Sequence, residues 1–107
     1  MTNNIKPNCP MGATICILSG KWKLFILSQL LEGVKRFSQL QTAMPGITQR
    51  MLTKQLRELE ELNIISRKVY PVVPPKVEYA LTEVGQSLKP VLQVLEDWGK
   101  FYINIQK

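Results

Sequence analysis

Pro45-Gly46-Ile47-Thr48-Gln49-Arg50-Met51-Leu52-Thr53-Lys54-Gln55-Leu56-Arg57-Glu58-Leu59 is the stretch on which the fold turns. Pro45-Gly46 marks a tight turn. Thr48 offers a side-chain oxygen to cap the helix that follows, which the spacing predicts to run to about residue 62. Leu52, Leu56 and Leu59 recur at steps of four and three, so they form one inward stripe. Arg50, Lys54 and Arg57 fall at i, i+4 and i+7 on a face roughly opposite, with Gln49 and Thr53 beside them. Just upstream, Ser38 is placed to cap a short helix carrying Leu40, Ala43 and Met44. Two helices joined by a glycine-containing turn describe a helix-turn-helix.

Downstream, residues 64 to 70 and 76 to 81 are rich in β-branched and aromatic side chains, with Pro71, Pro74 and Pro75 between them. They predict a β-hairpin with a stiff tip. In its second strand Val77, Tyr79 and Leu81 alternate with Lys76, Glu78 and Ala80, the pattern of a strand covered on one face. Such a hairpin is a wing laid against the helices. Upstream, Pro10 suits the first position of a helix over about 10 to 19 with Met11, Ile15 and Leu18 on one face. Gly20 breaks that pattern, and Trp22, Ile26, Leu27, Leu30 and Leu31 predict a thickly apolar second helix ending near Gly33. Lys35-Arg36-Phe37 reads as a short extended piece. Finally, Thr82 opens a last helix in which Val84, Leu88, Val91, Leu95, Trp98, Tyr102 and Ile105 form a heptad seam. Pro90 lies inside it and predicts a bend. The fold class is mainly α with a small β-hairpin, a winged helix-turn-helix.

The chain's 107 residues fit one domain, with residues 1–8 expected to be a flexible N-terminal segment and 82–107 a C-terminal dimerisation helix. No long apolar stretch marks a signal peptide or membrane span, so the expected home is the cytoplasm, without a membrane partner. The sequence has no histidine, which removes the commonest general base and the commonest transition-metal ligand together. Without a glycine-rich phosphate loop or a supported carboxylate pair either, the expectation is that the protein is not an enzyme and uses neither cofactor nor metal.

Fourteen Lys and Arg against eight Asp and Glu give a net charge of +6, and their placement carries more information than the total. The basic residues begin in the N-terminal half of the fourth helix, while Glu58, Glu60 and Glu61 crowd its C-terminal end. The helix dipole favours the reverse. Lys54 with Glu58 and Arg57 with Glu61 can pair at i, i+4, but in the weaker orientation, at about 0.2–0.5 kcal/mol each. A merely solvated face gives no reason for this layout. A helix whose N-terminal half enters a DNA major groove, with acids held back from phosphates, does. Arg pairs with guanine edges and Gln with adenine, while Lys and Thr hold phosphates or bases, so Thr48, Gln49, Arg50, Thr53, Lys54 and Arg57 are the candidate DNA-binding set. Arg67, Lys68 and Lys76 on the hairpin and Arg36 and Ser38 before the short helix are candidate phosphate contacts. Their alternative role is solubility and protection of an exposed strand edge. A winged helix that binds another protein through this surface is the alternative function.

Trp22 and Trp98 fall on apolar stripes and read as packing residues, in the core or between subunits. The C-terminal seam can fold back on its own domain or meet a second copy. Apolar surface at both ends of so short a chain favours a homodimer made by the first and last helices, through Met11, Ile15, Leu18, Leu88, Val91, Leu95, Trp98, Tyr102 and Ile105. Cys9 precedes Pro10 at the N-cap of the first helix, where backbone N–H groups, the dipole and Lys6 favour a thiolate that senses oxidants. An unreactive thiol in a loose segment is the other reading. Cys16 lies two turns on, as a small core residue, about 10 Å of helix rise from Cys9 and out of bonding reach.

In order and spacing, these segments resemble the HxlR-type regulators of bacteria: Cys9-Pro10, Gly20-Lys21-Trp22, Arg36-Phe37-Ser38-Gln39-Leu40, Pro45-Gly46, and the helix from Ile47 to Leu59. Val73-Pro74-Pro75-Lys76-Val77-Glu78-Tyr79, Leu81-Thr82-Glu83, Gly85 and Trp98-Gly99 complete a likeness over about residues 9 to 99. The hydrophobic Val72-Val73 departs from the acidic residue, or tyrosine and arginine, often found around that family's wing tip. The resemblance implies a homodimer related in fold to MarR-like regulators, whose paired helices read a two-fold operator on double-stranded DNA. It also implies response to an oxidant or small-molecule effector through a cysteine at the position of Cys9.

Overall fold

The computed structural model describes residues 9–106. Lys6 and the segment expected to be flexible, residues 1–8, lie outside them. Helix α1 spans Pro10–Leu18, with Cys9 as its extended N-cap and proline in its first turn. Gly20, at φ 95°, takes a conformation open to glycine and turns the chain into α2, Lys21–Leu31, at 84° to α1. Strand β1, Lys35–Arg36, leads directly into α3, Phe37–Ala43. After the Pro45-Gly46 turn comes α4, Gln49–Glu61, whose N-cap Thr48 accepts the Met51 backbone N–H at 3.0 Å. Strands β2, Ile65–Tyr70, and β3, Lys76–Leu81, form the hairpin. Short α5, Glu83–Gln86, and long α6, Lys89–Ile105, close the fold.

The sheet has three antiparallel strands in the order β1-β3-β2, so β3 is central. Ile65 faces Leu81 and Tyr70 faces Lys76 at the two ends of the hairpin, while Arg36 of β1 sits opposite Glu78. Side chains opposed across a ladder share a face. Arg67, Val69, Val77 and Tyr79 therefore lie on one side of the sheet, and Lys68, Tyr70, Lys76 and Glu78 on the other. Tyr79 is buried, and its neighbours on this central strand are half-buried rather than cleanly alternating.

The core joins one stripe from each of the central elements: Ile26, Leu27 and Leu30 of α2, Leu40 of α3, Leu52, Leu56 and Leu59 of α4, with Ile64, Ile65 and Tyr79 from the hairpin region and Leu92 of α6. Each fully buried Leu or Ile contributes about 1.5–3 kcal/mol. The same stripe that stabilises α4 thus fixes which of its faces stays outside. Gly85 permits the closest approach in this assembly, because a Cβ there would lie 2.2 Å from the Ile64 carbonyl oxygen.

Two local expectations need correction. Ser38 does not cap the third helix. The chain leaves β1 straight into the helix, so Arg36 is the N-cap, and the Gln39 side chain accepts its backbone N–H at 2.8 Å. Nor is residue 82 onward one bent helix. Thr82 caps the short α5 by accepting the Gly85 N–H at 3.0 Å, the chain breaks at Ser87-Leu88, and Pro90 stands in the first turn of a new helix. Proline lacks the N–H that would carry a helix through that point, and its ring clashes with the carbonyl one turn back. The first turn of a new helix relieves both, because its N–H groups have no intrahelical partner and no carbonyl of that helix stands one turn before the ring.

Candidate nucleic-acid interface

The outer face of α4 is an open groove lined by Thr48, Gln49, Arg50, Met51, Thr53, Lys54, Arg57, Glu58 and Glu61. All six residues of the candidate recognition set therefore meet on one surface. Arg50, Lys54 and Arg57 are exposed and belong to none of the ion pairs among the described residues. The two threonines are partly committed. The Thr48 hydroxyl accepts the capping bond, and the Thr53 hydroxyl donates to the Gln49 carbonyl at 2.9 Å. No acidic residue stands in the first turn of α4 and no basic one in the last, so the arrangement contrary to the dipole is carried into the structure.

The pairs Lys54–Glu58 and Arg57–Glu61 do not form among the described residues. Glu58 turns instead to Lys23 of α2, whose Nζ lies 2.5 Å from a Glu58 carboxylate oxygen and also donates to Gln55 Oε1 at 2.8 Å. The Lys23 hydrogen bond holds the Glu58 carboxyl below its ordinary value. Sequence reading passed over Lys23, because it sits among apolar residues of a core helix and its partner is 35 positions away.

The remaining basic candidates divide between the two sides of the sheet. Arg67 closes a small cleft with Phe37, Thr53, Leu56, Arg57, Glu60 and Tyr79, beside α4. Lys68 and Lys76 are on the other side, each with its ammonium 4.9 Å from the centroid of the Tyr70 ring. A ring so placed attracts both cations. The Tyr70 hydroxyl donates to Glu78 at 2.9 Å, and Lys76 lies 3.3 Å from the same carboxylate. The Tyr70 hydrogen bond, then Lys76, lowers the Glu78 carboxyl. Tyr70 thus organises the hairpin stem, a role its position as the last residue of a strand did not announce. Arg36 and Ser38 share a shallow groove with Val72, Val73, Pro74, Pro75 and Lys76 at the hairpin tip, where Val73 is 100% exposed.

On the first and last helices, Met11 and Ile15 of α1 and Val91, Leu95, Trp98, Tyr102 and Ile105 of α6 are exposed. Leu18 and Leu88 are half-buried and pack against the core, so they belong to it at least as much as to an outer face. Val94, Phe101 and Ile103 are exposed as well and were not picked out by the heptad reading. Val94 and Phe101 stand three residues after Val91 and Trp98, a spacing that widens the stripe. Trp98 and Tyr102 stack at 5.3 Å between ring centroids. Cys9 is exposed and Cys16 half-buried, and both thiols are free.

The HxlR-like helix-turn-helix family model matches residues 17–107. The HTH-type transcriptional regulator YdeP of Bacillus subtilis is 53% identical over 94 residues, which cover 88% of this chain and 73% of that protein. Among solved structures, the redox regulator HypR in its reduced form superposes with a TM-score of 0.87 at 44% identity, over 91% of this chain and 96% of that one. The structure of the HTH-type transcriptional regulator YtcD gives 0.84 at 53% identity, over 88% and 96%. With its winged-helix architecture and exposed basic helix, the chain belongs to the HxlR-like helix-turn-helix family of DNA-binding transcriptional regulators.

Proposed function

We propose that the protein reads a two-fold operator as a homodimer, with α4 of each subunit in a DNA major groove. The exposed basic N-terminal half of α4 carries this reading. Gln49 and Arg50 present base-reading side chains near the helix start, Thr53, Lys54 and Arg57 continue the face, and the anchoring leucines fix its aim. The flanking phosphate contacts in this reading are Thr48 and Arg36 at the N-caps of α4 and α3, Ser38 in the first turn of α3, and Arg67, Lys68 and Lys76 on the wing. We read the whole chain as one winged helix-turn-helix unit acting where the cytoplasmic DNA is.

The homodimer is supported by the apolar faces of α1 and α6, where Met11 is 68% and Trp98 60% exposed. Surfaces of that kind mark interaction sites. A helix reader that dimerises places its two recognition helices about 34–36 Å apart, one turn of DNA. Cys9 lies at the start of α1, next to that apolar face, so a change at its sulfur acts on the element that sets the spacing. HypR is described as a redox regulator, and redox control through Cys9 is the corresponding proposal here. A peroxide oxidises two thiols to an intersubunit disulfide and is itself reduced to water. An electrophile instead caps the single sulfur.

A gel-shift titration on the DNA upstream of the gene, reduced and oxidised, at two salt concentrations, tests these statements together. Specific binding that weakens steeply with salt is expected. Oxidation is expected to shift it in the wild type and not in Cys9→Ser. Binding indifferent to oxidant in both would remove the redox proposal and leave the DNA reader in place.

A further inference from the structure

We propose that Lys23 of α2 is the buried counter-ion that screens DNA from the Glu58 carboxylate on the reading helix. This rests on the DNA-binding reading above. Glu58 lines the same groove as Lys54 and Arg57, where an uncompensated carboxylate would repel phosphates and draw on the cations meant for them. Lys23 is only 6% exposed, and its ammonium reaches Glu58 and Gln55 from the core side of α4. Gln55 is itself buried, and every buried side-chain polar atom among the described residues has a partner. The cation is therefore held in one place, with both its acceptors on α4.

Its position has an electrostatic consequence. A lysine on the surface would be damped by salt and would compete for phosphates itself, whereas a pair whose cation is buried and whose carboxylate is partly exposed is screened less. Lys23 thus offsets one negative charge on the DNA-facing helix without touching DNA. The same contact ties α2 to positions 55 and 58 of α4, leaving the N-terminal half of that helix free to enter a groove.

Either change removes the ion pair, so Lys23→Met and, to a smaller extent, Glu58→Gln should both lower thermal stability. Their effects on DNA should have opposite signs. Measured by fluorescence anisotropy on specific and random duplexes, Lys23→Met exposes an anion and should weaken binding to both by about tenfold. Glu58→Gln keeps an acceptor for Lys23 while deleting the anion, and should strengthen binding to both several-fold. The double variant should lie close to wild type. Two single variants that both weaken binding, in step with lost stability, would show a purely structural pair and overturn the proposal. If Lys23→Met does not fold, the sign of the Glu58→Gln effect decides by itself. Wild-type protein that binds no duplex would overturn the DNA-binding reading and this inference with it; wild-type binding with an unaltered Lys23→Met would overturn this inference alone.

Discussion

Arg50 and Lys76 are both exposed or half-exposed cations, yet their settings assign them different work. Arg50 stands in the first turn of α4 with no ion-pair partner among the described residues, whereas Lys76 is held over Tyr70 and beside Glu78 at the hairpin stem. Arg50→Ala is expected to cost about 1–3 kcal/mol of binding at particular base positions and relax preference there. Lys76→Ala should weaken all sequences alike. Competition titrations against single-base operator variants separate the two, and identical profiles would contradict the assignment. Glu58 supplies a second residue-scale expectation. Its folded-state pKa is lowered by Lys23, so its contribution to stability is present above the ordinary carboxylate range and is lost as pH falls through the depressed folded value. Glu58→Gln should flatten that acid limb of the stability profile in denaturant melts, and an unchanged limb would place the effect elsewhere.

Among the elements, α4 was fully legible because each signal is local: a capping threonine, leucines at helical spacing and a Pro-Gly turn before it. The hairpin was legible for the same reason. What escaped was settled between elements. That β1 pairs with β3 rather than standing alone follows from a contact across more than forty residues, and this pairing puts the N-cap of α3 at Arg36, two residues ahead of Ser38. The break before α6 was half legible: Pro90 signalled a disturbance, but a bend and a restart look alike until the path of the chain is known. Gly85 presents a similar case, since nothing in its neighbours reveals that the Ile64 carbonyl occupies the space of its missing side chain. Gly85→Ala should therefore destabilise the fold by about 1–3 kcal/mol through overpacking where α5 meets the hairpin. A denaturant midpoint equal to wild type would mean that this junction yields without cost.

For the whole molecule, two kinds of surface are carried by different elements: exposed cations on α4 and the hairpin, exposed apolar side chains on α1 and α6. The +6 net charge gives general attraction to a polyanion, and the proposed dimer would supply the register. Leu95→Glu, on the exposed face of α6, should turn the dimer into a monomer by light scattering and lower operator affinity by well over tenfold, since two linked half-sites bind far better than one. A variant that stays dimeric would move the interface away from α6.

The most direct measurement is selection of bound fragments from sheared genomic DNA by the purified protein, followed by footprinting of the enriched sites. The expected result is a two-fold symmetric sequence whose half-sites are about 10–10.5 base pairs apart, protected in two adjacent major grooves and lost with Arg50→Ala. Recovery of no shared sequence, or of sites protected equally well when Arg50 is replaced, would contradict α4 as the element that reads DNA.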